Sequence, residues 1–444
     1  TIEYTGVTVQ TNADVDVDAY LTNALADSLT SGNTEEATQA VSNAATSLSV
    51  VNCSAVSATY CASLSRDPCV LTPQTCSSCL TGYDGFSGDA NILCRNLTAE
   101  GVSLGDVGAN CTVDSDCLLN NCTNSVCVAP VKTCTSVTTS VCSGNGGCTF
   151  SDSAGNALST CLVSDSECTA SCECTNGYGG SSCELTPAQL LSRDNTRAEL
   201  CNAILVVANS SDTSAALLDT LVAALLTSYD PDEVVSAYAQ DLCDGALTLV
   251  TNLAASGILT GDDTTALLLE SASEFVRPAT DSGDARRLQS SNLTYTNGSL
   301  VNNAMTQIAI GVLADMTNGQ VAVAYADANV QIIVYKGLAS ALSSLTVPIT
   351  ADASSFGTVN TGSMEFTSVL ANLFNDGDGY VEIALMQWGT NPFPNSTGLQ
   401  TSLLRLEAFL PSNVSVARRL SEHRELQTTV SPDFFFTVQY NQVQ

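Results

Sequence analysis

Cys76-Ser77-Ser78-Cys79 has the spacing of a redox dithiol or of half a zinc site, and it is the arrangement in this chain closest to reactive chemistry. Either chemistry needs neighbours that the sequence does not supply. No strand–helix–strand pattern of the thioredoxin kind flanks the pair, and the one histidine, His423, lies far along the chain. Cysteine usage gives a better reading. All 20 cysteines fall between Cys53 and Cys243, and eighteen of them by Cys183, a density that belongs to oxidised, secreted modules stapled by disulfides. Nine Asn-x-Ser/Thr sequons, at Asn52, Asn96, Asn110, Asn121, Asn209, Asn292, Asn297, Asn395 and Asn413, point to the same extracellular compartment through N-linked glycans.

The other candidates for chemistry have plainer readings. A nucleophilic enzyme needs a base beside its Ser or Cys, and His423 stands among Arg418, Arg419, Glu422 and Arg424 in a segment that reads as a solvated loop. The run Asn375-Asp376-Gly377-Asp378-Gly379-Tyr380 begins like a calcium loop but lacks the closing Glu, so it reads as a turn between strands. With 45 Asp and Glu, coincidental carboxylate pairs are inevitable and point to no hydrolase. Trp388 and Phe434-Phe435-Phe436 read as core and interface residues. Two Ala-Arg-Arg-Leu sites, at 285–288 and 417–420, are either dibasic processing sites or ordinary basic loops. No catalytic, cofactor-binding or metal-ligating residue is predicted, and the chain is not expected to be an enzyme.

Composition limits the partners. Against the acids stand only 13 Lys and Arg, giving a formal charge of -32. Phosphate backbones and anionic membranes require basic stripes, so nucleic acid and membrane surfaces are disfavoured. No stretch approaches the ~20 apolar residues of a membrane span. The residues following Thr1 carry neither a basic n-region nor an apolar h-region, so any signal peptide is expected to have been removed. Hydrophobic content of 44% is enough for real cores.

The elements fall into an order. Residues 1–10 (TIEYTGVTVQ) alternate β-branched and polar types and predict a strand with no neighbour to pair with, in an N-terminal segment 1–15. Residues 16–50 carry Leu21, Leu25 and Leu29, then Ala37, Ala40, Val41 and Ala44, which suits two amphipathic helices. Residues 51–130 hold two cysteine groups, Cys53 to Cys94 and Cys111 to Cys127, whose pairing the spacing leaves open. Each bridge contributes ~3 kcal/mol by restricting the unfolded chain. From 185 to 280, leucines and alanines recur at helical spacing, with breaks at Ser228-Tyr229-Asp230-Pro231 and Thr260-Gly261-Asp262. Cys201 and Cys243 flank the first break and are expected to clamp two antiparallel helices. Beyond 281 the period becomes two, at 321–325, 330–335, 379–385, 403–409 and 434–440, with a helix at 302–315. The fold class expected is multidomain α+β: disulfide-rich modules, a helical bundle and a β-sandwich over 281–444.

Three stretches resemble known families. The segment CECTNGYGGSSC from Cys172 to Cys183 is similar to the closing signature of epidermal growth factor-like (EGF-like) modules, here over 131–184. The resemblance implies bridges Cys134–Cys148, Cys142–Cys172 and Cys174–Cys183. The additional pair Cys161 and Cys168 in its long loop is expected to bond to itself. Calcium-binding members carry acids before the first cysteine, whereas this chain has Pro130-Val131-Lys132-Thr133, so no calcium is expected there. The first group, with Cys79-Leu80-Thr81-Gly82-Tyr83 and Asn91 ahead of Cys94, resembles a cysteine-rich repeat of secreted stramenopile proteins. NVQIIVYKGLASALSSLTVPI and VEIALMQWGTNPFPNSTGLQTSLLRLEAF, with Asn391-Pro392-Phe393, resemble the GAIN region of polycystin-like proteins and adhesion receptors over 185–444.

That last family closes its sandwich with a cysteine-bearing autoproteolysis motif and a final strand. No cysteine follows Cys243, so self-cleavage is not expected, and a sandwich lacking its last strand leaves an edge to cover. Residues 1–10 are available for it, from the same chain or a neighbour. Together the resemblances imply an extracellular structural glycoprotein that self-associates into a filament, similar to the flagellar hairs called mastigonemes. The alternative is the ectodomain of an adhesion or mechanosensory receptor.

Overall fold

The computed structural model describes residues 23–24, 27, 34–48, 51–96 apart from 71 and 87, 105–152 apart from 139, 157–165, 168–258, 261–276, 281–282, 293–338 apart from 328, 346–349, 362–365, 380–388 and 403–409. The strands expected at 1–10 and 434–440, the calcium-like run up to residue 379, Asn391-Pro392-Phe393, His423 and both Ala-Arg-Arg-Leu sites lie outside them.

The chain is a mixed α+β protein with a cysteine-rich region set into a helical one. Helix α1 (Thr34–Leu48) presents Ala37, Val41, Ala44 and Ala45 along one face. The spacing is that of a single apolar stripe, and small side chains allow close helix contact. The stripe does not pack on the next residues in sequence. It joins the core of helices that begin after residue 186, on the far side of every module between Cys53 and Cys183. The cysteine-rich region is therefore an excursion in sequence from a helical bundle that resumes after it.

Within the excursion, a short helix α2 (Ala58–Ser63) is capped by Ser57, whose hydroxyl accepts from Tyr60 N–H. The strands β1 (Cys122–Thr123) and β2 (Val126–Cys127) make a minimal hairpin, and β3 (Gly146–Asp152), β4 (Ala157–Leu158) and β5 (Cys168–Cys174) a small antiparallel sheet, to which β6 (Asp281–Ser282) adds parallel to β5.

The bundle comprises α3 (Pro187–Ser210), α4 (Ala215–Ser228), α5 (Ala237–Ala255), α6 (Asp262–Glu274) and α7 (Leu293–Asp315). Helix α3 starts on a full capping box, Thr186 with Gln189, and Pro187 at its first position. Ser214 and Ser236 cap α4 and α5 through their side chains alone, accepting from Leu217 N–H and Ala239 N–H. The break at 211–214, which the leucine pattern did not indicate, separates α3 from α4 and changes the geometry of the bridge. Asp194 Oδ1 accepts from Val235 N–H at 2.7 Å and Ser236 N–H at 2.9 Å, and Cys201 bonds to Cys243 the same number of residues further along both helices. Helices α3 and α5 thus run parallel, not antiparallel, because α4 intervenes between them. Gly311 of α7 lets that helix approach α5, since a Cβ there would sit 2.9 Å from Ala254 O.

Beyond the bundle, β7 (Gln320–Ala326), β8 (Val330–Leu338), β11 (Tyr380–Trp388) and β12 (Leu403–Phe409) form one antiparallel sheet in the order β12-β11-β8-β7. A separate pair, β9 (Thr346–Ile349) and β10 (Gly362–Glu365), was not anticipated from sequence. Val330, Ile332 and Val334 of β8 with Ala384, Met386 and Trp388 of β11 belong to the same core as the helices. The opposite face of these two strands is buried as well, through Ile333, Tyr335, Val381, Ile383 and Leu385. On the helix side, Lys336 and Glu382 stand opposite one another in the register, 3.0 Å apart, and Lys336 Nζ also donates to Leu313 O near the end of α7 at 2.8 Å. This buried pair fixes how the sheet meets the helix.

Candidate functional site

The sulfur chemistry is closed. All 20 cysteines are paired and none is free. Cys76 bonds to Cys61 and Cys79 to Cys94, so the Cys-x-x-Cys spacing joins two different bridges and holds no dithiol. The remaining bridges of the first two groups are Cys53–Cys69, Cys111–Cys122 and Cys117–Cys127. The third group pairs Cys134 with Cys148, Cys142 with Cys172, Cys174 with Cys183, and Cys161 with Cys168. Two triplets of sulfur atoms, at Cys111, Cys117, Cys127 and at Cys134, Cys142, Cys172, lie close enough to hold a metal ion. Each sulfur is oxidised, and a metal needs the thiolate. Ten disulfides require an oxidising compartment for folding.

The acids of the second cysteine group are used locally. Asp116 Oδ2 accepts from Thr112 N–H, Thr112 Oγ1 and Val113 N–H, at 2.7, 2.8 and 3.1 Å, and these bonds hold its carboxyl below the usual carboxylate range. Asp114 Oδ1 accepts from Cys122 N–H at 2.8 Å. Lys132, just ahead of the third group, donates to Asp165 O and Cys168 O, both at 2.7 Å.

Sequence reasoning missed Arg66. Its side chain is 1% exposed inside the first module. Nε donates to Ile92 O, Nη1 to Ser77 O and Gly88 O, and Nη2 to Phe86 O, at 2.5 to 3.0 Å. A guanidinium has donors enough for every one of these carbonyls, which a module with one short helix and no sheet would otherwise bury unpaired. Burial lowers its pKa, while Asp89 nearby opposes that shift. Only the basic residue between Ser65 and Asp67 marks the position in sequence, and nothing there signals burial.

A comparable node anchors the bundle. Arg197 Nε donates to Glu233 Oε2 at 2.6 Å, and Nη1 to Ser228 O and Thr227 O, latching the loop at 229–236 onto α3. Burial pushes the Glu233 carboxyl up, and Arg197 beside it pulls the other way.

Of the sequons, Asn52, Asn110 and Asn209 are exposed and Asn96 and Asn121 half-buried. Asn110 and Asn121 each precede a cysteine of the same bridge, Cys111–Cys122, so two of the sequons fall on one small unit. Asn297 falls within α7, and Asn292, Asn395 and Asn413 lie outside the described residues.

The surface best suited to contact another chain is the β7 edge of the sheet. β7 reads QVAVAYA, without charge or proline. Val321 is 83% exposed, and Ala324 and Ala326 are exposed as well, although the same face is buried on β8 and β11. At the other edge, β12 carries Arg405 and Glu407. Charges and prolines are the common means of blunting sheet edges, and β7 has neither.

No helix among the described residues is long and apolar enough to cross a membrane. No protein-family model matches this chain, and no curated protein matches it either.

Proposed function

We propose that this chain is an extracellular structural glycoprotein, a subunit of a self-assembling surface filament of the flagellar-hair kind, assembled by strand exchange of residues 1–10. The observation that carries the reading is the uncharged, exposed edge strand β7 on a chain whose every cysteine is oxidised. The bridges suit a protein that leaves the cell, and the open edge suits one that adds to copies of itself. A heterologous, head-to-tail contact of that sort propagates into a fibre unless its rotation closes a ring.

The third cysteine group fits an EGF-like module, with Asn176 and Gly177 in the left-handed turn before Tyr178. Burial of β8 and β11 on both faces fits a sandwich behind a helical layer, as in GAIN-like regions. The same helix-then-sheet order favours the second reading, a receptor ectodomain of the adhesion or polycystin-like type.

Negative-stain electron microscopy of the purified, glycosylated chain, beside one lacking residues 1–10, separates the two. Filaments from the whole chain that vanish with the truncation are expected. Monodisperse particles from both would remove the filament and leave the receptor ectodomain.

A further inference from the structure

We infer that the outer edge of β7 is the acceptor for residues 1–10 of a second copy of this chain; the inference rests on the assembly reading above and names the surface it would use. The hydrogen-bond phase of β7 sets which residues face outward. Asp327 N–H donates to Val330 O at 2.9 Å, and Tyr325 and Val323 pair with Ile332 and Val334 in the same phase. Backbone groups alternate sides along an antiparallel strand, so Tyr325 and Val323 address β8, and Ala324 and Ala326 turn their N–H and C=O groups away from it. Among the described residues, no strand lies beyond β7. The two alanines are exposed, so the edge offers a ladder of donors and acceptors beside side chains too small to obstruct an incoming strand.

The occupant is argued from composition. Residues 1–10 contain Thr1, Ile2, Thr5, Val7, Thr8 and Val9, all β-branched, and one charge, Glu3. They are long enough to span β7, which has seven residues. Acids flank the acceptor: Asp262 Oδ1 accepts from the Tyr325 hydroxyl at 2.7 Å, and Asp327 follows the strand. Like charges set opposite one another weaken a ladder, so in a chain of charge -32 a donor with a single acid is favoured. The other strand expected outside the described residues, 434–440, belongs to the sandwich in the proposed reading.

The test uses the chain lacking residues 1–10 and a fluorescently labelled TIEYTGVTVQ peptide, followed by polarisation. Saturable, one-to-one binding is expected. Ala324→Pro deletes an outward N–H without touching the ladder to β8, so the fold is retained, and binding should weaken about tenfold or more. Ala326→Lys, which keeps every backbone donor and adds a charge to the edge, should weaken it as well. Equal binding to wild-type and both substituted edges overturns the assignment, as does absence of binding. Preference for an FFFTVQY peptide overturns the choice of donor. A whole chain that stays monomeric and refuses the peptide holds its own strand there, which overturns the second copy. Filaments that persist in Ala324→Pro would refute the β7 acceptor while leaving the assembly reading standing. Closed dimers or rings lost in Ala324→Pro would support the acceptor and refute the filament.

Discussion

In residues 51–184 the buried apolar clusters are small and made largely of cysteine: Val56 with Cys61 and Cys76, then Cys111, Cys117 and Cys127, then Cys142, Cys172, Cys174 and Cys183. From α3 onward one continuous core of Leu, Ile, Val, Ala and Met runs through five helices and into β8 and β11, with a single bridge, Cys201–Cys243. The first region has too little apolar surface to offset the conformational entropy of ordering it and relies on restricting the unfolded chain. The second buries side chains that contribute about 1.5–3 kcal/mol each. Covalent loops and apolar packing are thus alternative sources of stability, and one chain uses both.

The largest break in that comparison comes from reduction. With all bridges reduced under native conditions, hydrogen exchange should show amide protection lost throughout 51–184 and retained in α3 to α7. Protection that survives in the first region would mean that its packing, not its bridges, holds it.

Removing only the bundle bridge, Cys201→Ala with Cys243→Ala, opens a loop with a separation of 42 residues. Loop-closure entropy predicts a loss of about 4 kcal/mol by urea unfolding, with the bundle still folded. A loss near zero would show that residual contact between the two segments already restricts the unfolded chain.

Arg66→Met tests whether bridges suffice in the first region. It leaves the cysteines in place and strips buried carbonyls of their donor, so a local loss of about 3 kcal/mol is expected, read as faster exchange confined to 51–96. Unchanged exchange there would reduce the guanidinium to a passenger.

The smallest effect sharpens the other side. Burial pushes the Asp244 carboxyl on α5 from its ordinary 3.8 up to about 6, against the hydrogen bond from Gln240. The native state therefore holds a proton that the unfolded chain releases. Between those two values stability falls as pH rises, and the penalty is complete above about 6 and absent below the ordinary value. Asp244→Asn should stabilise the bundle by about 2 kcal/mol at neutral pH and by little in acid, measured as paired thermal melts. An equal gain at both pH values would remove titration as the cause.

Much of this was legible in sequence where the signal is local. The strand period placed β7, β8, β11 and β12, each within a few residues, because alternation reports a face directly. The breaks expected at 228–231 and 260–262 fall between α4 and α5 and between α5 and α6 for a similar reason. Helix α7 was expected only from 302, since the preceding LTYTNGSL stretch lacks an apolar stripe of its own. The break at 211–214 was missed because serine and aspartate there cap a helix as readily as they decorate its surface.

The amino-acid sequence by itself determined that this chain is oxidised, acidic, rich in sequons and divided between cysteine-dense and leucine-rich regions, because composition and short-range periodicity need no partner to be read. Only the tertiary structure decided that α1 belongs to a bundle beginning after residue 186, that Cys76 and Cys79 serve different bridges, that Arg66 is buried among carbonyls, and that β7 is left as an edge. Those facts depend on which distant segments meet, and the free energy of such meetings is set by burial and pairing across the whole fold rather than by any local pattern.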